Sequence, residues 1–249
     1  MQSYTSFSIL DSVDSTNNYA MSRVHEGMAK HGSAWFALHQ TAGKGQRGKA
    51  WQSLPGSNIT FSLIIEPDPA FFVHHFSFNA TVALACINFL YSITGENFKL
   101  KWPNDIYWRD RKAGGILIEN VLQGNNWKWC VVGIGINVNQ THFDGVTNAV
   151  SIKKITGKDY EPITLAKQLH ALILEKIDQM RLMPSESIMQ DYNNVLYKKD
   201  EEVQLKKDNI IFKTRIKEVN EYGNLLTQDV MERSFAFGEV EWIQVIEDD

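Results

Sequence analysis

The sequence predicts an α+β protein in which a helix-flanked sheet is followed by a small β-barrel. Helical and strand-like patterns both occur up to residue 197, whereas short strands separated by polar turns follow from residue 198. Several strands of the first part are apolar and do not alternate, as expected for a sheet covered on both faces. These observations predict a main domain over residues 1–197 and a C-terminal barrel over residues 198–249.

The elements of the main domain follow from capping residues and apolar spacing. Asp14, Ser15 and Thr16 are N-cap residues ahead of an amphipathic run that ends at Val24, so a helix is expected to begin there. Further helices are predicted at 78–93, from Pro162 through Ile177 and at 187–196, and strands at 6–10, 35–40, 58–66, 99–102, 115–119 and 129–138. The barrel strands are predicted at 203–205, 210–219, 224–228, 234–237 and 240–246.

Composition excludes several classes of protein. The formal charge of −4 over 249 residues gives no global attraction to nucleic acid or to an anionic membrane. Cys86 and Cys130 are too few for a disulfide framework or a zinc site, so we expect reduced, buried thiols. The N-terminus lacks a signal-peptide pattern, and the apolar stretch 81–93 is too short to span a bilayer, which predicts a core helix. We therefore expect a cytoplasmic protein.

A basic, glycine-rich loop runs from Gly43 to Trp51. Its glycines alternate with cations, which suits the wrapping of an anion, although a single loop of this kind is also typical of a solvated turn. Residues 43–49 match the first seven positions of a P-loop, G-x-x-x-x-G-K. Ala50 stands where a P-loop needs Ser or Thr to coordinate Mg²⁺, so that interpretation is rejected.

Two other segments carry polar residues beside predicted strands. Gly133-Ile134-Gly135 begins a dinucleotide-binding fingerprint, but Val138 replaces its third glycine and excludes it. Asn104 and Asp105 follow Pro103 at the end of a strand, where functional side chains are often displayed. Lys112 precedes two glycines at the entrance of a core strand. Each feature alone is ordinary, and only their combination with the basic loop indicates a site.

The motifs together resemble those of a known family. Asp14-Ser15-Thr16-Asn17, Gln40, GKGQRGKAW at 43–51, KWPNDI at 101–106, Arg111-Lys112, GILIE at 115–119 and GIGIN at 133–137 are similar, in this order, to the motif series of biotin protein ligases. The resemblance covers roughly residues 11–140. It implies a mixed or antiparallel sheet flanked by helices, related to class II aminoacyl-tRNA synthetases, with an SH3-like barrel at the C-terminus.

The resemblance also implies an activity. Such enzymes join biotin to ATP, supplied with Mg²⁺, as biotinoyl-adenylate, and transfer the biotinoyl group to a lysine on the biotin carboxyl carrier domain of acetyl-CoA or related carboxylases. The catalytic residues implied are Lys112, Asp105 and Arg47. The implied biotin contacts are Ser15, Thr16, Asn17, Gln40, Lys44, Gly45, Gln46, Lys112, Gly115, Gly133 and Gly135. The implied ATP contacts are Arg47, Lys49, Trp51, Asn104, Lys112 and Asn137, and no metal site made by the protein is expected.

The loop departs from the family pattern, which is usually GRGRxGR. Lys44 keeps a charge but loses the planar fork of arginine, and Gln46 loses the charge. Because of these two residues, a sensor that binds biotin or an adenylate without catalysis stays open as an alternative. A lipoate ligase or octanoyltransferase also stays open, because its fold is similar. The DSTN motif begins at residue 14, so we expect no DNA-binding domain ahead of it and no direct DNA or membrane partner. Both a monomer and a homodimer are compatible with the sequence.

Overall fold

A computed structural model describes residues 6–68, 75–124, 126–143 and 148–243. Its elements are, in chain order, β1 Phe7–Val13, α1 Thr16–His25, β2 Ala34–Gln40, β3 Ile59–Ile65, α2 His75–Thr94, β4 Lys99–Lys101, β5 Asp105–Trp108, β6 Arg111–Gln123, β7 Asn126–Ile136, α3 Ile152–Thr156, α4 Pro162–Met180, α5 Ser185–Asn194, β8 Glu202–Lys207, β9 Ile210–Val219, β10 Leu225–Gln228, β11 Glu232–Phe235 and β12 Glu241–Ile243.

The main sheet has seven strands in the order β1-β2-β3-β7-β6-β5-β4. β1 and β2 pair in parallel and are joined by α1, whereas the other neighbouring strands pair antiparallel. The prediction of a mixed sheet flanked by helices is confirmed.

The two faces of this sheet are covered by different helices. In β3 the alternate residues Phe61 and Leu63 join the large core formed with α2 and α4, while Ile64 packs with Ala20 and Val24 of α1. Successive strand residues point to opposite faces, so Thr60 and Ser62 share the α1 face with Ile64. All seven residues of β3 are buried because both faces of the strand are covered. The α1 face is the one that carries the polar residues.

Helix α2 is the central helix of the large core. It is long and apolar enough to cross a membrane, but 67% of its most apolar window is buried inside the fold. The predicted core helix at 78–93 is confirmed. The helix is longer than predicted, because it covers His75–Thr94. Cys86 of α2 and Cys130 of β7 are buried free thiols, as expected, and burial raises the pKa of Cys86 to about 12.

The C-terminal residues form a second, five-stranded antiparallel sheet in the order β11-β10-β9-β8-β12. Its buried residues Leu205, Ile216 and Phe235 belong to the same core as the main sheet. Trp102 donates its indole N–H to the carbonyl of Gly223 over 2.9 Å, which ties the two sheets directly. The five-stranded sheet is what the described residues show. Its closure into an SH3-like barrel stays a prediction, and so does the domain boundary near residue 198.

Several boundaries differ from those predicted. β6 begins at Arg111 rather than at Gly115, so Lys112 lies within the strand and not before it. β5 and α3 were not expected, because both are short and flanked by turn residues. β11 ends at Phe235, two residues before the predicted end at Phe237. Part of the last predicted strand, residues 244–246, lies outside the described residues.

Candidate active site

The floor of the site is one row of residues across five strands of the main sheet. Thr60 of β3 pairs with Gly135 of β7, Gly135 with Gly115 of β6, Gly115 with Asp105 of β5, and Asp105 with Lys101 of β4. All five residues line one cavity of about 880 Å³. Antiparallel register therefore assembles residues that are far apart in sequence. Thr60 and Lys101 were not predicted as site residues.

One end of the cavity is a buried polar network at the start of α1. Gln40 accepts hydrogen bonds through Oε1 from the backbone N–H of Thr16 at 2.8 Å and from its hydroxyl at 3.1 Å. A backbone N–H can only donate, so the Gln40 amide is oriented with its NH₂ group away from Thr16. Ser15 is the N-cap of α1, yet its hydroxyl makes no capping bond and the residue lines the cavity.

The same network continues through Asn17 to two residues that sequence reasoning missed. Ser62 Oγ lies 2.5 Å from Asn17 Oδ1 and 2.7 Å from Thr16 Oγ1, and Asn17 donates its amide to Glu119 Oε2 at 2.7 Å. Thr60 and Ser62 alternate with apolar residues in an otherwise apolar strand. This alternation in the sequence of β3 indicates that one face of the strand is polar.

Two glycines of β7 allow close approach to the sheet. A Cβ atom on Gly133 would lie 2.8 Å from Asn17 Cγ, and one on Gly135 would lie 2.5 Å from the indole ring of Trp51. Contacts this short do not occur at real Cβ atoms. Glycine at both positions therefore lets a polar side chain and an aromatic ring rest on the strand.

The basic loop is an ordered hairpin over the cavity rather than an open turn. Gly45 N–H donates to the carbonyl of Lys49 at 2.7 Å, and Trp51 N–H donates to that of Gly43 at 2.8 Å. Arg47 sits at its tip with φ 53° and ψ 42°, the left-handed region that disfavours a side chain. Its guanidinium donates to the carbonyl of Gly238 at 3.0 Å and so links the loop to the second sheet.

Lys112 and Asp105 form an ion pair in the middle of the floor. Lys112 Nζ lies 2.6 Å from Asp105 Oδ1, with 31% and 26% of the two side chains exposed. Both side chains lie over Gly115, where an added Cβ would meet each of them at ordinary contact distance. The Lys112 ammonium is thus held over the floor, 6.0 Å from the centre of the Trp51 ring.

Lys101 is a buried cation at the opposite end of the floor row. Its ammonium lies 4.7 Å from the ring centre of Tyr107, 5.0 Å from that of Trp242 and 5.7 Å from that of Tyr197. Desolvation lowers the pKa of Lys101 to about 8, against the attraction of Asp105. The three aromatic rings around the Lys101 ammonium come from both sheets and the segment between them, since Tyr107 belongs to β5 and Trp242 to β12.

The second sheet completes this end of the cavity. The residues that the C-terminal part of the chain contributes to the cavity lining are Phe237, Gly238, Val240, Glu241, Trp242 and Ile243. The cations lining the cavity, Lys44, Arg47, Lys49, Lys101 and Lys112, outnumber its carboxylates, Asp105 and Glu241. A local positive field is therefore built into a chain of net negative charge, which suits an anionic ligand.

All but one of the predicted site residues line this cavity; the exception is Asn137. Asn137 is 4% exposed, and its amide donates to the carbonyl of Val150 at 3.1 Å and to that of Lys112 at 3.4 Å. It therefore braces the segment beside β6, and its contact with adenine stays a prediction. Buried amides satisfied by backbone carbonyls are a common structural use of asparagine.

Comparison with known proteins agrees with this geometry. Residues 9–137 match the model of the Biotin/lipoate A/B protein ligase family. The chain belongs to this family. The match covers the floor row, the polar network and the basic loop, so the family's shared region builds most of the cavity, and only the lining residues between 237 and 243 lie outside it.

Relatives within the family have similar sequences and folds. The chain is 34% identical over 135 residues to the bifunctional ligase/repressor BirA of Escherichia coli, covering 53% of this chain and 40% of that protein. It is 33% identical to the biotin--[acetyl-CoA-carboxylase] ligase of Paracoccus denitrificans, covering 62% and 65%. The match thus spans less than half of BirA. The biotin protein ligase from Aquifex aeolicus, solved with biotin and ATP, superposes with a TM-score of 0.81 at 26% identity, over 97% of this chain and 100% of that one.

Proposed function

We propose that this chain is an ATP-dependent biotin ligase. In the first step the biotin carboxylate attacks the α-phosphorus of ATP, a P–O bond forms, and pyrophosphate leaves with the electron pair of the broken P–O bond. In the second step the amine of an acceptor lysine attacks the acyl carbon of biotinoyl-5'-adenylate, and AMP leaves. The observation that carries this proposal is a single cavity with neutral hydrogen-bonding groups at one end and an excess of cations at the other.

The polar network forms the biotin end of the site. A bicyclic ligand with one urea group needs a few fixed hydrogen-bond partners on an otherwise flat surface. Ser15, Thr16, Asn17 and Gln40 supply these partners, and the glycines of β7 supply the flat surface. The loop residues Lys44, Gly45 and Gln46 line the same cavity, and we assign them to biotin as well.

Lys112 stands where the two substrates meet. Negative charge accumulates on the oxygens around phosphorus as the carboxylate attacks, and a fixed ammonium stabilises that charge. Arg47, Lys49, Trp51 and Asn104 are proposed to hold the triphosphate, and Mg²⁺ enters with ATP as part of the substrate. Closure of the loop over the adenylate also protects the mixed anhydride from water.

Asp105 is proposed to act in the transfer step. The acceptor lysine is protonated at neutral pH, with an ordinary pKa of about 10.4, and must lose a proton before it attacks. Once the adenylate binds Lys112, the Asp105 carboxylate is free to orient the ammonium group of the acceptor lysine and to take its proton. The acceptor we propose is the biotin carboxyl carrier domain of acetyl-CoA carboxylase or a related carboxylase, met in the cytoplasm.

The two steps can be tested separately. Lys112→Ala is expected to abolish ATP-dependent pyrophosphate release, whereas Asp105→Asn is expected to form the adenylate but slow transfer to the carrier. Transfer by Asp105→Asn should recover as the pH rises towards the pKa of the acceptor lysine, because solvent then removes the proton. Lys128→Ala, the same change at an exposed lysine of β7, is the control. Near-normal pyrophosphate release by Lys112→Ala would overturn the role given to that residue.

A further inference from the structure

The amide of Asn17 lies directly against strand β7 at the biotin end of the cavity. Its Oδ1 and Cγ lie over Gly133, where even a methyl group would collide with them. An amide has an oxygen that accepts and a nitrogen that donates, and the two ends have nearly the same shape. The ring of a ligand resting on this floor therefore meets an acceptor or a donor according to how the amide is turned.

Glu119 determines that orientation. A carboxylate can only accept, and Glu119 Oε2 accepts from Asn17 Nδ2 at 2.7 Å, with the carbonyl of Leu117 as a second, longer acceptor at 3.4 Å. Ser62, whose side chain is fully buried, lies 2.5 Å from the other end, Oδ1. Bonds to charged groups are the stronger ones, so the Nδ2 end is held towards β6 and Oδ1 towards Ser62 of β3, above Gly133, which lines the cavity.

We infer that Glu119 is a positioning residue that acts through Asn17 to present a hydrogen-bond acceptor to the bound ring, and that this acceptor selects a cyclic urea over an apolar ring. The inference rests on the proposed function. A urea ring carries N–H donors and a carbonyl acceptor, which match Asn17 Oδ1 and the NH₂ group of Gln40. A dithiolane ring of lipoate type offers neither, so the Gln40 NH₂ group and the second lone pair of Asn17 Oδ1 would gain no partner from the ligand.

The test exchanges the carboxylate of Glu119 and the amide of Asn17 between the two positions. In Glu119→Gln the new amide can donate or accept, so Asn17 is no longer held in one orientation, and we expect the Kd of biotin to rise about 10-fold. Asn17→Asp places a second carboxylate against Glu119 and should weaken biotin binding further. In the double variant Asn17→Asp with Glu119→Gln, the amide introduced on β6 donates to the carboxylate introduced on α1, and an oxygen again faces the cavity. Biotin affinity should recover above that of either single variant.

Biotin and ATP affinities are measured by calorimetry on the full chain, with lipoic acid as the competitor. We expect the ATP Kd to stay within about 2-fold and the preference for biotin over lipoic acid to fall in Glu119→Gln. Glu218→Gln, the same chemical change at an exposed position of β9, is the control. If Glu119→Gln unfolds, Ser62→Ala removes the partner of Oδ1 instead and should also weaken biotin binding selectively.

The outcomes separate this inference from the proposed function. Wild-type protein that neither binds biotin nor releases pyrophosphate would contradict the proposed function itself. Active wild-type protein with unchanged biotin affinity in Glu119→Gln, or a double variant no better than its parents, would overturn only the role of Glu119. Recovery in the double variant supports it, because a residue that merely stabilises the fold would not be restored by moving the charge to Asn17.

Discussion

Gly133→Ala tests whether the flat floor of the cavity is a requirement of the site. The added Cβ would lie 2.8 Å from Asn17 Cγ and nearer still to Oδ1, whereas real contacts begin at 3.0–3.4 Å. Asn17 cannot retreat towards β6 because Glu119 holds its Nδ2 end at 2.7 Å. Its side chain must therefore leave the network and turn into the space of the ligand.

The magnitude follows from the two hydrogen bonds that are lost. A neutral bond contributes about 1 kcal/mol and a bond to a carboxylate about 1.5–3 kcal/mol. We therefore expect the free energy of unfolding to fall by about 2.5–4 kcal/mol, and the Kd of biotin to rise at least about 100-fold because the displaced side chain fills the ring position. Urea unfolding measures the first quantity and calorimetry the second.

Gly115→Ala provides a control at a glycine of the floor row, on the neighbouring strand β6. Its Cβ would meet Asp105 Oδ1 at 3.5 Å and Lys112 Nζ at 3.7 Å, which are ordinary contact distances. Its free energy of unfolding is expected to stay within about 0.5 kcal/mol of the wild-type value. If Gly133→Ala is as stable as Gly115→Ala and binds biotin as wild type does, the close packing of Asn17 on β7 is wrong.

Three further substitutions address other parts of the site. Lys101→Met removes a buried lysine whose pKa is lowered from 10.5 to about 8, so the unfolded wild-type chain binds more protons between these values and its stability rises with pH there. Urea unfolding at pH 7.5 and 9.5 should show wild type gaining about 1–2 kcal/mol relative to the variant, and equal pH dependence would contradict the lowered pKa. Trp51→Phe removes a buried indole N–H that has no partner among the described residues, so the free energy of unfolding should not change. Because Trp51 is proposed to hold the triphosphate, the Kd of ATP should rise about 10-fold. Trp102→Phe should lower the free energy of unfolding by about 1–3 kcal/mol, because the carbonyl of Gly223 loses its donor between the two sheets.

The sequence was sufficient for the elements and for the motif residues. Apolar spacing predicted α4, and the capping residues Asp14, Ser15 and Thr16 placed the start of α1 where the structure has Ser15 as its N-cap. The short strand β5 was missed, because it is fixed by its neighbours β4 and β6 rather than by its own pattern. Local propensity therefore carries less information for short strands than for long helices.

The register of the sheet could not be predicted from one sequence. Thr60 and Lys101 join the floor row through the register of β3, β7, β6, β5 and β4, and Glu119 of β6 reaches Asn17 beside the cavity. No local pattern encodes that alignment. Asn137 shows the opposite case, since a motif residue beside the site turns its amide to backbone carbonyls instead. A motif identifies the chain segment that reaches a site, whereas only packing decides where each side chain points.

The most direct test of the central claim follows biotin from solution to protein. The chain is incubated with ATP, Mg²⁺, labelled biotin and a biotin carboxyl carrier domain, in parallel with its Lys112→Ala variant. We expect label on one carrier lysine, released pyrophosphate in equal amount, and neither product with the variant. Preference for lipoic acid, or tight biotin binding without any transfer, would contradict the assignment of this cavity to biotin activation and transfer.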